Sequence, residues 1–258
     1  MNQSLELTPT ANQTNRLNVT ESNSADCAPN TQSDPYSETY FDALYHDNSD
    51  PWHYQTRWYE KRKRDMCLAV LPKSQYTDAI ELGCGNGVFS ELLASRCQAL
   101  VSIDGHHQAV QLAKQRLAKS AHVRVIQGVI PSVLPNNDSG FDLIVISEIL
   151  YYLSSNDIDT VITWIQQNLA VGGTLLCCHW RYTIDDFAMT GDTVHQRLNQ
   201  AFNGVNNENC DKRPPIASKS FVVPRPTFTH QCQIIDSDFL LDVWQHTHKT
   251  VAMQENLV

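Results

Sequence analysis

The stretch Ala79–Ser90, AIELGCGNGVFS, sets three glycines at alternate positions, Gly83, Gly85 and Gly87, between an apolar run and a helix-like run. Glycine permits a tight turn and lets the backbone approach a ligand closely. Where such a turn joins the first strand of an α/β sheet to its helix, a nucleotide is expected outside the strand's carboxyl end. The glycines alone do not choose the nucleotide. The third comes one residue too early for G-x-G-x-x-G, whose last position here is Val88. Glu81, just before the first glycine, would repel a pyrophosphate but suits a cationic amino-acid moiety. Asp104 closes the next apolar run, about 20 residues on, where a carboxylate binds ribose hydroxyls of either class of cofactor.

Outward from the loop, apolar strands alternate with amphipathic helices. VFSELLASRC reads as a helix, ALVSID as a strand, and HHQAVQLAKQRLAKS as a helix with Val110, Ala113 and Leu117 on one face. HVRVIQG and FDLIVISEILYYL follow as strands, the second running past its own end. NDIDTVITWIQQNLAVGG reads as a helix stopped by Gly172-Gly173, and TLLCCHW as the fifth strand, with Cys177 and Cys178 on opposite faces. Continuous apolar strands of this kind predict a parallel sheet covered on both sides. GDTVHQRLNQAF looks helical. TFTHQCQIID and FLLDVWQHT are joined by a connection too short for a crossover helix, so they are expected to pair antiparallel. The fold class expected is a doubly wound, Rossmann-like α/β domain with a seven-stranded, mostly parallel sheet and an antiparallel last strand, the class I methyltransferase architecture.

Residues 1–34 are rich in Asn, Thr, Ser and Gln and are read as a disordered tail. Residues 35–75 carry many aromatics and a helix from about Thr56 to Leu71, stopped by Pro72; they are read as a lid, and 76–258 as the catalytic domain. The run Lys61-Arg62-Lys63-Arg64 reads as a solvated helix face. A net charge of −9 argues against nucleic-acid binding. Eight cysteines form no C-x-x-C, and His106-His107 and His246-x-His248 read as surface residues, so no metal is expected. Neither a secretory signal nor a membrane span is read, and a cytoplasmic location is expected.

Several segments taken together carry a closer likeness: YFDALYHDNSDPWHYQTRWYEKRKRD, ELGCGNG, FDLIVISEILYYL, GGTLLCCHWR and GDTVH. They resemble the nodulation protein S-like methyltransferases over roughly residues 36 to 246. The resemblance implies S-adenosylmethionine as cofactor and a small-molecule acceptor, with the free amino group of a de-N-acetylated oligosaccharide as the family's named case. It implies that Glu81, Gly83, Cys84, Gly85 and Asn86 line the methionine end of the cofactor. By the same token Asp104 and Gly105 belong at the ribose, Gly128 and Val129 beside the adenine, and Ser147 and Glu148 near the reactive methyl. At Val129 the sequence departs from the common pattern of an acid that accepts from the adenine amino group. Trp52, Arg57 and their aromatic neighbours are expected to roof the cofactor, Arg57 pairing its carboxylate.

An amine must be neutral when it attacks, so a proton acceptor is useful. Glu148, Tyr151, His179, Asp192 and His195 are the candidates, with Glu148 and the His179/His195 pair expected to orient and deprotonate the acceptor. Methylation of an oxygen or carboxylate is the alternative within the class. An NAD-dependent oxidoreductase and a non-catalytic cofactor-binding partner are the alternatives outside it.

Overall fold

A computed structural model describes residues 38–184, 187, 189–203, 228–247 and 249–258. The expected N-terminal tail and the polar stretch around residues 204–227 lie outside the described residues. Seven strands form one sheet: β1 Tyr76–Leu82, β2 Cys97–Asp104, β3 Val123–Gln127, β4 Phe141–Ser147, β5 Leu169–Trp180, β6 Thr229–Ile235 and β7 Phe239–Gln245. Their order is β3-β2-β1-β4-β5-β7-β6. The first five are parallel to one another, and β7 runs antiparallel to both β5 and β6. The expected class of fold is the one observed.

Alternation along β4 explains why the sheet is covered twice. Leu143 and Val145 pack into one core, with Leu93, Leu100 and Leu241, while Ile144 and Ile146 pack into the other, with Ile103, Ile158 and Trp244. Both sets are apolar, so neither face of the strand can be left to water. Cys177 and Cys178 divide between the two cores in the same way.

Helices α1 Glu38–Tyr45 and α2 Trp58–Ala69 precede the sheet. Helices α3 Val88–Ala94, α4 His107–Arg116, α5 Ser155–Asn168 and α6 Gly191–Asn203 fall between its strands, and the short α7 Val251–Gln254 follows it. In α4 the expected face Val110, Ala113 and Leu117 is buried. In α5, Ile158, Val161, Ile162 and Ile165 form the buried stripe, and the Ser154 hydroxyl caps the helix by accepting from the Asp157 N–H at 3.1 Å.

Three expectations need correction. Gly172-Gly173 does not stop α5; the helix ends at Asn168, and both glycines lie inside β5. There the pairing with β4 jumps from Phe141↔Leu169 to Leu143↔Thr174, and the two glycines occupy that irregularity. The apolar run after β4 is not more strand, because Glu148 turns the chain with φ +59° and Leu150–Tyr152 form one 3-10 turn. The basic run in α2 is not a solvated face either. Glu60, Lys63, Arg64 and Cys67 are its buried residues, so positions i, i+3, i+4 and i+7, normally apolar, are mostly charged.

The strand order reverses between β1 and β4, which leaves a crevice beyond their carboxyl ends.

Candidate active site

A cavity of about 280 Å³ occupies that crevice. Its floor is the glycine turn after β1, the Asp104 end of β2 and Ser147-Glu148 after β4, and its roof comes from α1, α2 and the chain between them. A smaller cavity beside it shares Tyr54, Glu60, Lys63, Ser147 and Glu148 with the first.

The floor is built by the backbone. Gly83 has φ +79°, and a Cβ there would lie 2.8 Å from Ile149 Cδ1, so only glycine fits. Asp104 then organises the turn: its Oδ2 accepts the Gly85 N–H at 2.8 Å and its Oδ1 the His106 N–H at 2.9 Å. Burial pushes Asp104 above the usual carboxylate range, opposed by those two backbone donors. One lone pair on each oxygen remains free for a ligand hydroxyl.

Glu81 is placed differently from the expectation. It is buried, its Oε2 accepts from the Ser90 hydroxyl and from the Ser102 hydroxyl at 3.0 Å, and it touches only the smaller cavity. Burial pushes it up to about 7. Cys84 and Asn86 likewise face the smaller cavity. Asn86 uses its amide N–H groups on the Ser49 carbonyl (3.2 Å) and Asp50 Oδ1 (3.1 Å), tying the glycine turn to the roof.

The roof is aromatic. Trp52 and Tyr54 stack at 5.5 Å between centroids, and Tyr45 stacks on His106 at 4.7 Å. Trp52 and Arg57 line the cavity, as do Gly83, Gly85, Asp104, Gly105, Gly128, Val129, Ser147, Glu148 and Tyr151. Val129 is half-exposed at the rim.

Where the end of β4 meets α2 stands a cluster whose α2 members, Glu60 and Lys63, sequence reading missed. Glu148 Oε1 meets Lys63 Nζ at 2.6 Å, while its Oε2 accepts from the Tyr151 hydroxyl at 2.6 Å and the Trp180 N–H at 2.8 Å. Lys63 also reaches Glu60, at 3.2 Å. Burial works against the Lys63 charge, but Glu148 and Glu60 beside it hold it above its ordinary value. Both Glu60 and Lys63 line the cavity. The signal was present in the sequence as Glu60, Lys63, Arg64 and Cys67 at helical spacing, but without a structure an all-charged stripe reads as solvent-facing.

The remaining acceptor-side candidates lie outside the cavity lining. His179 and His195 are buried behind it. His179 Nε2 accepts the Leu150 N–H at 3.3 Å, so its proton sits on Nδ1, which donates to His195 Nε2 at 3.0 Å. His195 Nδ1 in turn contacts Asp242 Oδ2 at 2.5 Å, and His230 Nε2 contacts Asp242 Oδ1 at 2.5 Å. Burial, with the Lys63 charge nearby, holds His179 well below the ordinary histidine value, so it is neutral. This chain braces the 3-10 turn that carries Tyr151 and meets no cavity. Asp192 does not share His195's surroundings despite the spacing of three: it is exposed and pairs with Arg181 at 2.9 Å. His106 is not a surface residue; it is buried and meets Asp42 of α1 at 3.0 Å.

Several buried polar atoms around the site have no hydrogen-bond partner among the described residues: the Tyr45 and Tyr59 hydroxyls, Asn86 Oδ1 and His106 Nδ1. Buried polar groups are rarely left unpaired, so a polar ligand between floor and roof fits the donors and acceptors present. No group of three or more His, Cys, Asp or Glu among the described residues is arranged to hold a metal ion, and none of the described helices is long and apolar enough to cross a membrane.

With known proteins, residues 42–211 match the family model described as Nodulation protein S (NodS). Nodulation protein S of Rhizobium tropici is 33% identical over 129 residues, 49% of this chain and 53% of that protein, so the chain spans about half the length of that curated relative. A solved Pseudomonas syringae structure, provisionally designated a methyltransferase, is 36% identical with a TM-score of 0.54, covering 73% of this chain and 99% of that one. The N-methyltransferase NodS of Bradyrhizobium japonicum WM9, in complex with S-adenosyl-L-homocysteine, is 25% identical with a TM-score of 0.60, covering 81% and 98%.

Proposed function

The chain belongs to the nodulation protein S family, and on that premise we propose that it is an S-adenosylmethionine-dependent methyltransferase of a small amine. The acceptor is the free amino group of an amino sugar or a de-N-acetylated oligosaccharide. The cytoplasm is the proposed setting.

The observation that carries this reading is the cavity itself. One wall is a glycine turn organised by a carboxylate, and the opposite wall holds aromatic rings and a charged cluster. When bound, S-adenosylmethionine supplies a methyl on a sulfonium, so the acceptor's lone pair forms the new bond to carbon as the sulfur–carbon bond breaks.

The protein's contribution is then alignment and exclusion of water. Asp104 holds the turn and offers its free lone pairs to ribose hydroxyls. Arg57, at the rim, offers a planar donor fork to a carboxylate. The flat rings of Trp52, Tyr54 and Trp180 give a sugar's apolar face surfaces to stack on. Lys63, Tyr151 and the Trp180 N–H hold Glu148 fixed at the cavity wall.

Calorimetric titration with S-adenosylhomocysteine and NADH, followed by incubation with labelled donor and a mono-de-N-acetylated chitotetraose, tests the reading. Binding of S-adenosylhomocysteine alone and label on the free amine are expected. Binding of NADH, or no transfer to any amine or hydroxyl probe, would refute it.

A further inference from the structure

Besides Asp104 at the glycine turn, two carboxylates, Glu60 and Glu148, face the cavity, and their surroundings divide the work between them. Both oxygens of Glu148 are committed to partners that belong to the protein: Lys63 Nζ, the Tyr151 hydroxyl and the Trp180 N–H. It is an anchor. Glu60 lies across Lys63 on α2, one helical turn earlier, and lines both cavities. Its contacts are looser, 3.2 Å to Lys63 and 3.9 Å to Arg64, whose guanidinium donates instead to the Tyr54 carbonyl at 2.6 Å. Tyr54, Tyr59, Lys63 and Arg64 surround Glu60 from the roof, and Glu148 faces it from the end of β4.

On the methyltransferase reading above, we propose that Glu60 is the carboxylate that receives the acceptor's ammonium group and takes a proton from it. The step is balanced within the pair: one N–H bond breaks, one O–H bond forms, and the neutral amine and neutral carboxylic acid replace an ion pair. The acid returns its proton to water when the product leaves. Burial, the Lys63 charge notwithstanding, pushes Glu60 above the ordinary carboxylate range, toward the region where a general base works well at neutral pH. His179 and His195 are not needed for this step, consistent with their place behind the cavity.

The test is the pH dependence of kcat/KM for mono-de-N-acetylated chitotetraose, in the wild type and in Glu60→Gln. With Glu60 as base the ammonium form of the acceptor also reacts, so the wild-type profile rises as the Glu60 carboxyl ionises, below the acceptor's own pKa, and then levels. In Glu60→Gln only the free amine reacts, so the profile climbs monotonically. The variant should lose about 10²- to 10⁴-fold near neutral pH, with the gap narrowing as pH rises. Calorimetry supplies a readout apart from turnover. With the enzyme saturated with S-adenosylhomocysteine, the amine probe should bind more weakly to Glu60→Gln, while S-adenosylhomocysteine affinity stays at the wild-type level.

A loss that is equal at every pH, or no loss, overturns the role of Glu60. A wild-type profile that rises only with the acceptor's own pKa does so too, whether or not the variant folds. Absence of methyl transfer by the wild type to any probe overturns the methyltransferase reading instead, and the Glu60 proposal falls with it.

Discussion

Replacing Glu81 by Gln should stabilise the protein at neutral pH and leave it unchanged in mild acid. Glu81 is buried beneath the glycine turn, and its folded-state pKa is pushed up from 4.5 to about 7 by burial, against the opposing hydrogen bonds of Ser90 and Ser102. The folded chain therefore holds this proton more tightly than the unfolded chain does. That contribution is complete below about pH 4.5 and is lost as pH climbs through about 7. A rise of about 2.5 above the ordinary value, at 1.36 kcal/mol for each, is worth about 3 kcal/mol. Glutamine keeps the shape and stays neutral at every pH. Urea melts of cofactor-free protein at about pH 4 and about pH 8 should show the two proteins alike at the first and the variant ahead by about 3 kcal/mol at the second. In a thermal melt the gap amounts to about 10 °C for a chain of this size. A stability difference that does not change with pH would refute the reasoning, since only a titrating Glu81 makes it vary.

Asp104→Asn leaves either the Gly85 or the His106 N–H without its acceptor, and hydrogen bonds to charged groups are worth about 1.5–3 kcal/mol. S-adenosylhomocysteine binding should weaken about 10- to 100-fold by calorimetry, and undiminished affinity would count against Asp104 as the organiser of the turn. Lys63→Met strands two buried carboxylates, Glu60 and Glu148, without the cation between them. It should cost about 3–5 kcal/mol in urea unfolding, with part of the loss recovered by adding Glu148→Gln. Asp242→Asn removes the charge between His195 and His230 and should likewise cost about 3 kcal/mol. His230→Gln, at the half-exposed end of that chain, should cost clearly less in the same melts.

The parts of this fold that were legible beforehand are those set by local patterning. Alternating apolar runs defined the strands, the 3.6-residue period defined α4, and the short link between β6 and β7 fixed their antiparallel pairing. What escaped was decided by tertiary partners. Gly172-Gly173 looks like a helix stop because glycine usually is one, yet here β4 and β7 claim the surrounding backbone for the sheet. The charges of α2 look solvated because isolated charges must be; Glu148, 85 residues away from Lys63, is what lets them be buried. His179 and His195 look catalytic because they lie in and after a strand that ends at the site. Only the contacts with Leu150 and Asp242 reveal that their rings turn away from the cavity. The glycine turn could be read directly, since it acts through local backbone geometry, whereas the bond from the Gly85 N–H to Asp104 spans 19 residues and shows only in the fold.

The two walls of the cavity come from separate stretches of chain. One is built on the carboxyl ends of β1 and β2, deep in the sheet, where a change such as a methyl on Gly83 collides with Ile149. The other is drawn mostly from residues 40–63 and 148–153, outside the strands that hold the sheet together, with Trp180 at the very end of β5. Mutation is thus free to explore the second wall while the first stays under tight constraint. A lineage built on this plan can change the molecule it accepts by point substitutions in α1, α2 and the turn after β4, without rebuilding the wall that faces the donor.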